Sequence, residues 1–189
     1  MSDFTLSANS PLGSVRLNLA GISIRELADR ALVSIAVPQG GETALGQALM
    51  STYGLEFPDV GSSTVASATN VHLLGLQRDQ VFVLAERSDE DPVSAVVENL
   101  GNTAYCTDQS DSWAIVELSG PECRRVLERI CPIDLDAERF SEGAVTRTLM
   151  EHLGVIILRN GTDSFLLFSA ASSARAFLHM LETSVRNAL

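Results

Sequence analysis

Apolar residues in this chain recur with two periods, about 3.6 and about 2, and the switching between them lays out the elements. In ISIRELADRAL, Ile24, Leu27, Ala28 and Ala31 fall at i, i+3, i+4 and i+7. Ser23 stands three residues before Glu26 in a capping-box relation, so the pattern predicts a short amphipathic helix. LVSIAVP then alternates Val33, Ile35 and Val37 and reads as a strand that Pro38 ends. ETALGQALMSTYG places Leu45, Ala48, Leu49 and Tyr53 on one helical face and stops at Gly54. LEFPDVGSSTVASATN is small and turn-rich, a loop closing in a short strand. VHLLGLQ and VFVLAER flank Arg78-Asp79-Gln80 as a β-hairpin. Ser88-Asp89-Glu90-Asp91 sets acidic residues at the N-terminal end of the helix PVSAVVENLG, with Pro92 in its first turn and Gly101 at its end.

The last third, Trp113 to Leu189, carries the strongest pattern. WAIVELSG is strand-like. In SGPECRRVLERIC, Ser119 or Gly120 caps a helix with Pro121 at its first position and a stripe of Cys123, Val126, Leu127 and Ile130. Pro132 ends it. Val145–Leu153, Val155–Asn160 and Ser164–Ala170 read as three strands, the last two joined by Asn160-Gly161-Thr162-Asp163. Ser172 or Ser173 caps a final helix bearing Ala174, Phe177, Leu178, Leu181 and Val185. Helices mixed with hairpins, rather than strict alternation, predict an α+β fold with mixed, mainly antiparallel sheets and packed helices. Residues 1–20 are read as an extended arm before a single domain at 21–189, which can divide into sub-lobes at 21–112 and 113–189.

Composition narrows the function classes. The chain has 189 residues, 46% of them hydrophobic, ample for a buried core. Its net charge of −11 repels phosphate backbones and anionic membrane, so no nucleic acid and no membrane partner is expected. All 13 basic residues are arginine, which excludes Schiff-base chemistry on a lysine. No run approaches the roughly 18 apolar residues of a membrane span. The first residues, MSDFTLSANSPLG, lack the basic and apolar regions of a secretory signal, and a cytoplasmic location is expected. Cys106, Cys123 and Cys131 are odd in number and lack CxxC spacing, which points to free thiols.

The search for chemistry leaves no self-contained site. A nucleophile triad needs a histidine, and His72, His152 and His179 fall in a strand pattern, near the end of a strand and on the polar side of the last helix, with no GxSxG elbow. Zinc spacings such as HExxH are missing. Cys123 behaves as a small hydrophobe on its helix stripe. Cys131, near Arg129, becomes a reactive thiol only in a positive environment that lowers its pKa. Gly40-Gly41 before a helix is far weaker than a phosphate-binding fingerprint. The carboxylate pairs Asp134/Asp136 and Asp89/Asp91 sit in turn or cap contexts, and Trp113 is expected in the core. No catalytic, cofactor-binding or metal-binding residue is assigned.

The motif SGP-x4-VL-x2-ICPIDL, the F-x2-GAV-x-RT turn into a strand and the terminal SSARAFLHMLE resemble the gamma subunit of heterotetrameric sarcosine oxidase. The G-P-helix-strand-D-strand order is a weaker echo of the folate-binding aminomethyltransferase of the glycine cleavage system. The resemblance covers about residues 113–189 and fits earlier residues in outline. It implies a subunit of an oxidoreductase complex that converts sarcosine to glycine and hydrogen peroxide, with the one-carbon unit captured as methylenetetrahydrofolate. The partners it implies are alpha, beta and delta subunits. The cofactors implied are FAD, FMN, NAD, tetrahydrofolate and zinc, all on those other subunits. This chain is then noncatalytic and contributes to assembly. The alternatives are an independent folate-binding or aminomethyl-transfer module, and a gamma-type subunit of a related N-methyl amino acid dehydrogenase.

Overall fold

A computed structural model of the chain describes residues 9–88 and 91–189. Among these residues are eleven strands and four α-helices. These are β1 (Arg16–Leu19), β2 (Ile22–Glu26), β3 (Arg30–Ala36), α1 (Glu42–Tyr53), β4 (Ser63–Ala66), β5 (Val71–Gln77) and β6 (Gln80–Glu86). Then come α2 (Pro92–Leu100), β7 (Tyr105–Asp108), β8 (Trp113–Ser119), α3 (Cys123–Glu128), β9 (Val145–Met150), β10 (Leu153–Gly161), β11 (Ser164–Ala170) and α4 (Ala174–Ala188). The strands form a six-stranded sheet in the order β1-β2-β8-β11-β10-β9 and a five-stranded sheet in the order β4-β5-β6-β3-β7. Every strand pairing among the described residues is antiparallel. The α+β class with antiparallel sheets is therefore correct.

The layers run helix, sheet, sheet, helix. Val155 and Ile157 of β10 and Phe165 and Leu167 of β11 join Val126, Leu127, Phe177 and Leu181 of α3 and α4 in one core. Their neighbours Ile156, Leu158, Leu166 and Phe168 point the other way, against Leu32, Leu74, Phe82 and Leu84 of the second sheet. Val33, Ile35, Leu73 and Val83 cover the outer face of that sheet, under Leu45, Leu49 and Val96 of α1 and α2. Burial on both faces explains why β10 and β11 read as unbroken apolar runs.

Several elements depart from the sequence reading. The helix expected after Ser23 is strand β2, a turn and the start of β3. Ile22 and Ile24 alternate inward, while Ser23 and Arg25 pair with Ser119 and Glu117 of β8. The boundary at residue 20 is not a structural one, because Arg16–Leu19 pairs with β2 inside the first sheet. That sheet joins residues 16–26 to the second half of the chain. Helix α3 is one turn and a half; Pro121 lies in the turn before it and no side chain caps it. The expected Val145–Leu153 strand breaks at Glu151, whose φ of 51° turns the chain into β10 and puts His152 in the turn. Ser173 stands at the α4 N-cap, but its hydroxyl donates to the Ala170 carbonyl rather than accepting from the helix. The cap on α2 is as read: Asp91 accepts from the Ser94 N–H at 2.8 Å, with Pro92 at N1 and Gly101 after the last turn. Asp89 and Glu90 lie outside the described residues.

Candidate functional site

A cleft of about 620 Å³ opens between the sheets where β8 begins. Leu27, Trp113 and Ile115 form its apolar wall, and Arg30, Arg87, Asp111 and the loop from Asn9 to Ser14 form its rim. Glu26 closes one side. It is 5% exposed and its carboxylate accepts from the Ser10 hydroxyl (2.8 Å), the Leu12 N–H (3.0 Å) and the Ser14 N–H (2.7 Å). Both oxygens are engaged by the chain's own loop, so this carboxylate anchors residues 10–14 to β2 instead of facing a ligand.

The cations at the rim are also spoken for. Arg87 donates to Asp111 at 3.0 Å. Arg30 lies 3.7 Å from Glu86 and 3.8 Å from Asp29. With the Asn70 amide oxygen turned toward it, Arg30 also donates to Asn70 at 3.0 and 3.2 Å. The Asn70 amide then sits beside His72 Nε2, 3.3 Å away. Burial, and secondarily the charge of Arg30, hold the His72 imidazole below its ordinary pKa. Trp113, expected in the core, is half-buried at its border. Its ring stands edge-on to Phe82 at 6.4 Å, and the Arg147 guanidinium lies 5.5 Å from the Phe82 ring and 5.9 Å from the Trp113 ring.

The remaining sequence candidates stay scattered. His152 and His179 are exposed, on a turn and on α4. Cys123 is buried, and burial with the nearby Asp163 pushes its thiol up to about 11. Burial likewise raises Cys131, so Arg129 does not activate it. Cys106 is half-buried and also raised by burial. Asp134 and Asp136 are exposed turn residues; the Glu138 N–H on Asp136 lowers its pKa. Gly41 stands at the N-terminus of α1 with no side-chain cap. Among the described residues no three His, Cys, Asp or Glu side chains are placed to hold a metal, and no helix is long and apolar enough to cross a membrane.

One residue escaped the sequence reading. Arg159, 6% exposed on β10, donates to the carbonyls of Leu135 (3.2 Å), Phe140 (3.0 Å), Gly161 (3.3 Å) and Thr162 (2.8 Å) and lies 5.5 Å from the Phe165 ring. It ties the 132–144 connection to the β10–β11 hairpin. The only sequence signal for it is a charge at the end of the apolar run GVIIL.

This arrangement is a pair of helix-covered antiparallel sheets, a fold shared with aminomethyltransferase T. The T protein of the glycine cleavage system from Bartonella henselae superposes with a TM-score of 0.62 at 16% identity, over 86% of this chain and 46% of that one. In sequence, the chain is similar to gamma subunits of sarcosine oxidase. It is 27% identical to the subunit from Corynebacterium sp. (strain P-1) and 26% identical to that from Arthrobacter sp., in each case over 85% of this chain and 78% of the relative. A chain of the heterotetrameric sarcosine oxidase from Corynebacterium sp. U-96 superposes with a TM-score of 0.78 at 23% identity, over 95% of both chains. No protein-family model matches the chain.

Proposed function

We propose that this chain serves as the gamma-type subunit of a heterotetrameric sarcosine oxidase and contributes to its assembly. The complex would oxidise sarcosine to glycine and hydrogen peroxide and deliver the one-carbon unit to tetrahydrofolate. The observation that carries the reading is the near end-to-end likeness to gamma subunits, 162 aligned residues reaching 85% of the chain. In this reading the alpha, beta and delta subunits are the partners and hold the flavins, NAD and zinc. In this reading the chain itself does no chemistry, which fits thiols raised by burial, dispersed histidines and a buried acid at the cleft, Glu26, that binds the chain's own loop.

Co-expression of this chain with the three partner subunits tests the reading. The expected outcome is a stoichiometric complex with sarcosine-dependent peroxide production, which is lost when this chain is omitted. Calorimetry on the isolated chain is expected to show no saturable tetrahydrofolate binding. Folate binding or turnover by the chain alone would favour the independent folate module instead.

A further inference from the structure

The two sheets do not match in width, and the surplus is a polar face. The core between them draws on Leu27 and on β8 to β11 of the first sheet, and on nothing from β1. Leu17, Leu19, Ile22 and Ile24 point to the opposite side, toward α3 and α4. Side chains on β1 and β2 that point toward the second sheet therefore overhang it. Strand register arranges them, with their neighbours, in two rows. Arg16 is opposite Arg25, which is opposite Glu117. Asn18, Ser23, Ser119 and Ser164 follow across four strands.

The first row is electrostatically unfinished. Arg25 donates to Glu117 from Nε at 3.1 Å and from Nη2 at 2.9 Å. Arg16 is exposed and has no hydrogen bond or ion pair among the described residues, and it stands directly across from a like charge, an unfavourable pairing. In the second row no side chain of Asn18, Ser23, Ser119 or Ser164 has a partner among the described residues. The face is polar and rich in donors and acceptors that have no partner among the described residues. It carries a local surplus of one positive charge on a molecule whose net charge is −11.

We propose that this overhang is a docking surface for a partner subunit, which lays a polar segment across it and seats a carboxylate between Arg16 and Arg25. The inference rests on the subunit reading above. The unpaired Arg16 guanidinium matches a carboxylate bidentately, Arg25 adds the charge and the Nη1 donor that Glu117 leaves over, and a carboxylate there turns the repulsive pair into a bridged one. The serine and asparagine row supplies hydrogen bonds to the peptide groups that flank it. The strong negative charge elsewhere on the chain turns an acidic segment away from other surfaces.

Arg16→Glu separates docking from folding, because a glutamate opposite Arg25 makes an attractive cross-strand pair. The isolated variant is expected to melt at or above the wild-type temperature. Its association with the partner subunits is expected to weaken at least about tenfold. Arg16→Gln, which only removes the charge, is expected to weaken association less, and Arg175→Glu on α4 to leave it unchanged. If the wild type assembles and Arg16→Glu assembles equally well, the docking surface is wrong and the subunit reading stands. If the wild type does not assemble, the subunit reading fails and the docking surface with it. If the isolated wild type is a dimer that Arg16→Glu dissociates, the face meets a second copy, and the proposal of a different partner is overturned.

Discussion

His72 shows how a single residue acquires a property from the fold. Its ring faces the space between the sheets beside Asn70 and Arg30, and burial keeps it below the ordinary 6.5. A base with a depressed folded pKa stays neutral where the unfolded chain has already begun to bind a proton. The unfolded state then holds more protons, so this residue's contribution to stability falls as pH drops through the region below 6.5. Wild type is expected to lose more stability between about pH 7.5 and about pH 5 than His72→Asn does, measured by urea unfolding at each pH. Equal losses would mean that the ring titrates as it does in the unfolded chain. Its strand was legible in VHLLGLQ, but its neighbours were not, because Arg30 lies 42 positions earlier and meets it only through sheet pairing.

At the scale of elements, local signals succeeded where neighbours in sequence decide the outcome. Asp91, Pro92 and Gly101 mark the ends of α2 because a cap is made within four residues. They failed at residues 22–31, where Ile24, Leu27, Ala28 and Ala31 imitate a helical stripe. The strand wins there because β8 supplies a ladder about 92 residues away and Glu26 finds three donors in the N-terminal loop. The 132–144 connection was read only as punctuation, and Arg159 gives it a fixed path. Arg159→Met would strand the buried carbonyls of Leu135 and Phe140 and is expected to cost about 3 kcal/mol. Arg159→Lys is not expected to restore the loss, since an ammonium lacks the fork that reaches four carbonyls. Urea unfolding gives the first quantity. Tryptic cleavage after the exposed Arg139, next to the buried Phe140, is expected to accelerate in both variants if the connection loosens.

For the whole molecule, what matters is that the two sheets are sewn together along one side and open on the other. The seam is backbone: Ser63 N–H donates to the Gly143 carbonyl (2.8 Å), Val145 N–H to Gly61 (3.0 Å), Gly61 N–H to Gly75 (2.8 Å) and Gly75 N–H to Ser62 (2.9 Å). These bonds clamp β9 and β5 together and leave β1 and β2 overhanging at the far edge, where the proposed partner binds. The clamp depends on Gly75, because a Cβ there would drive into the carbonyl oxygens of Asp59 and Ser62, both backbone and unable to rotate aside. Gly75→Ala is therefore expected to lower stability by about 1–3 kcal/mol and to weaken assembly, since tilting the seam moves the overhang. Gly154→Ala is the matched comparison: its Cβ would meet nothing within 4 Å, so stability is expected to hold or rise slightly. Urea midpoints for the two variants, read beside their recovery in the co-expressed complex, distinguish a rigid seam from a passive one. If Gly75→Ala unfolds at the wild-type midpoint, the sheets adjust freely and their spacing is not set by this contact. If it is destabilised yet assembles normally, the seam holds the fold without positioning the docking face.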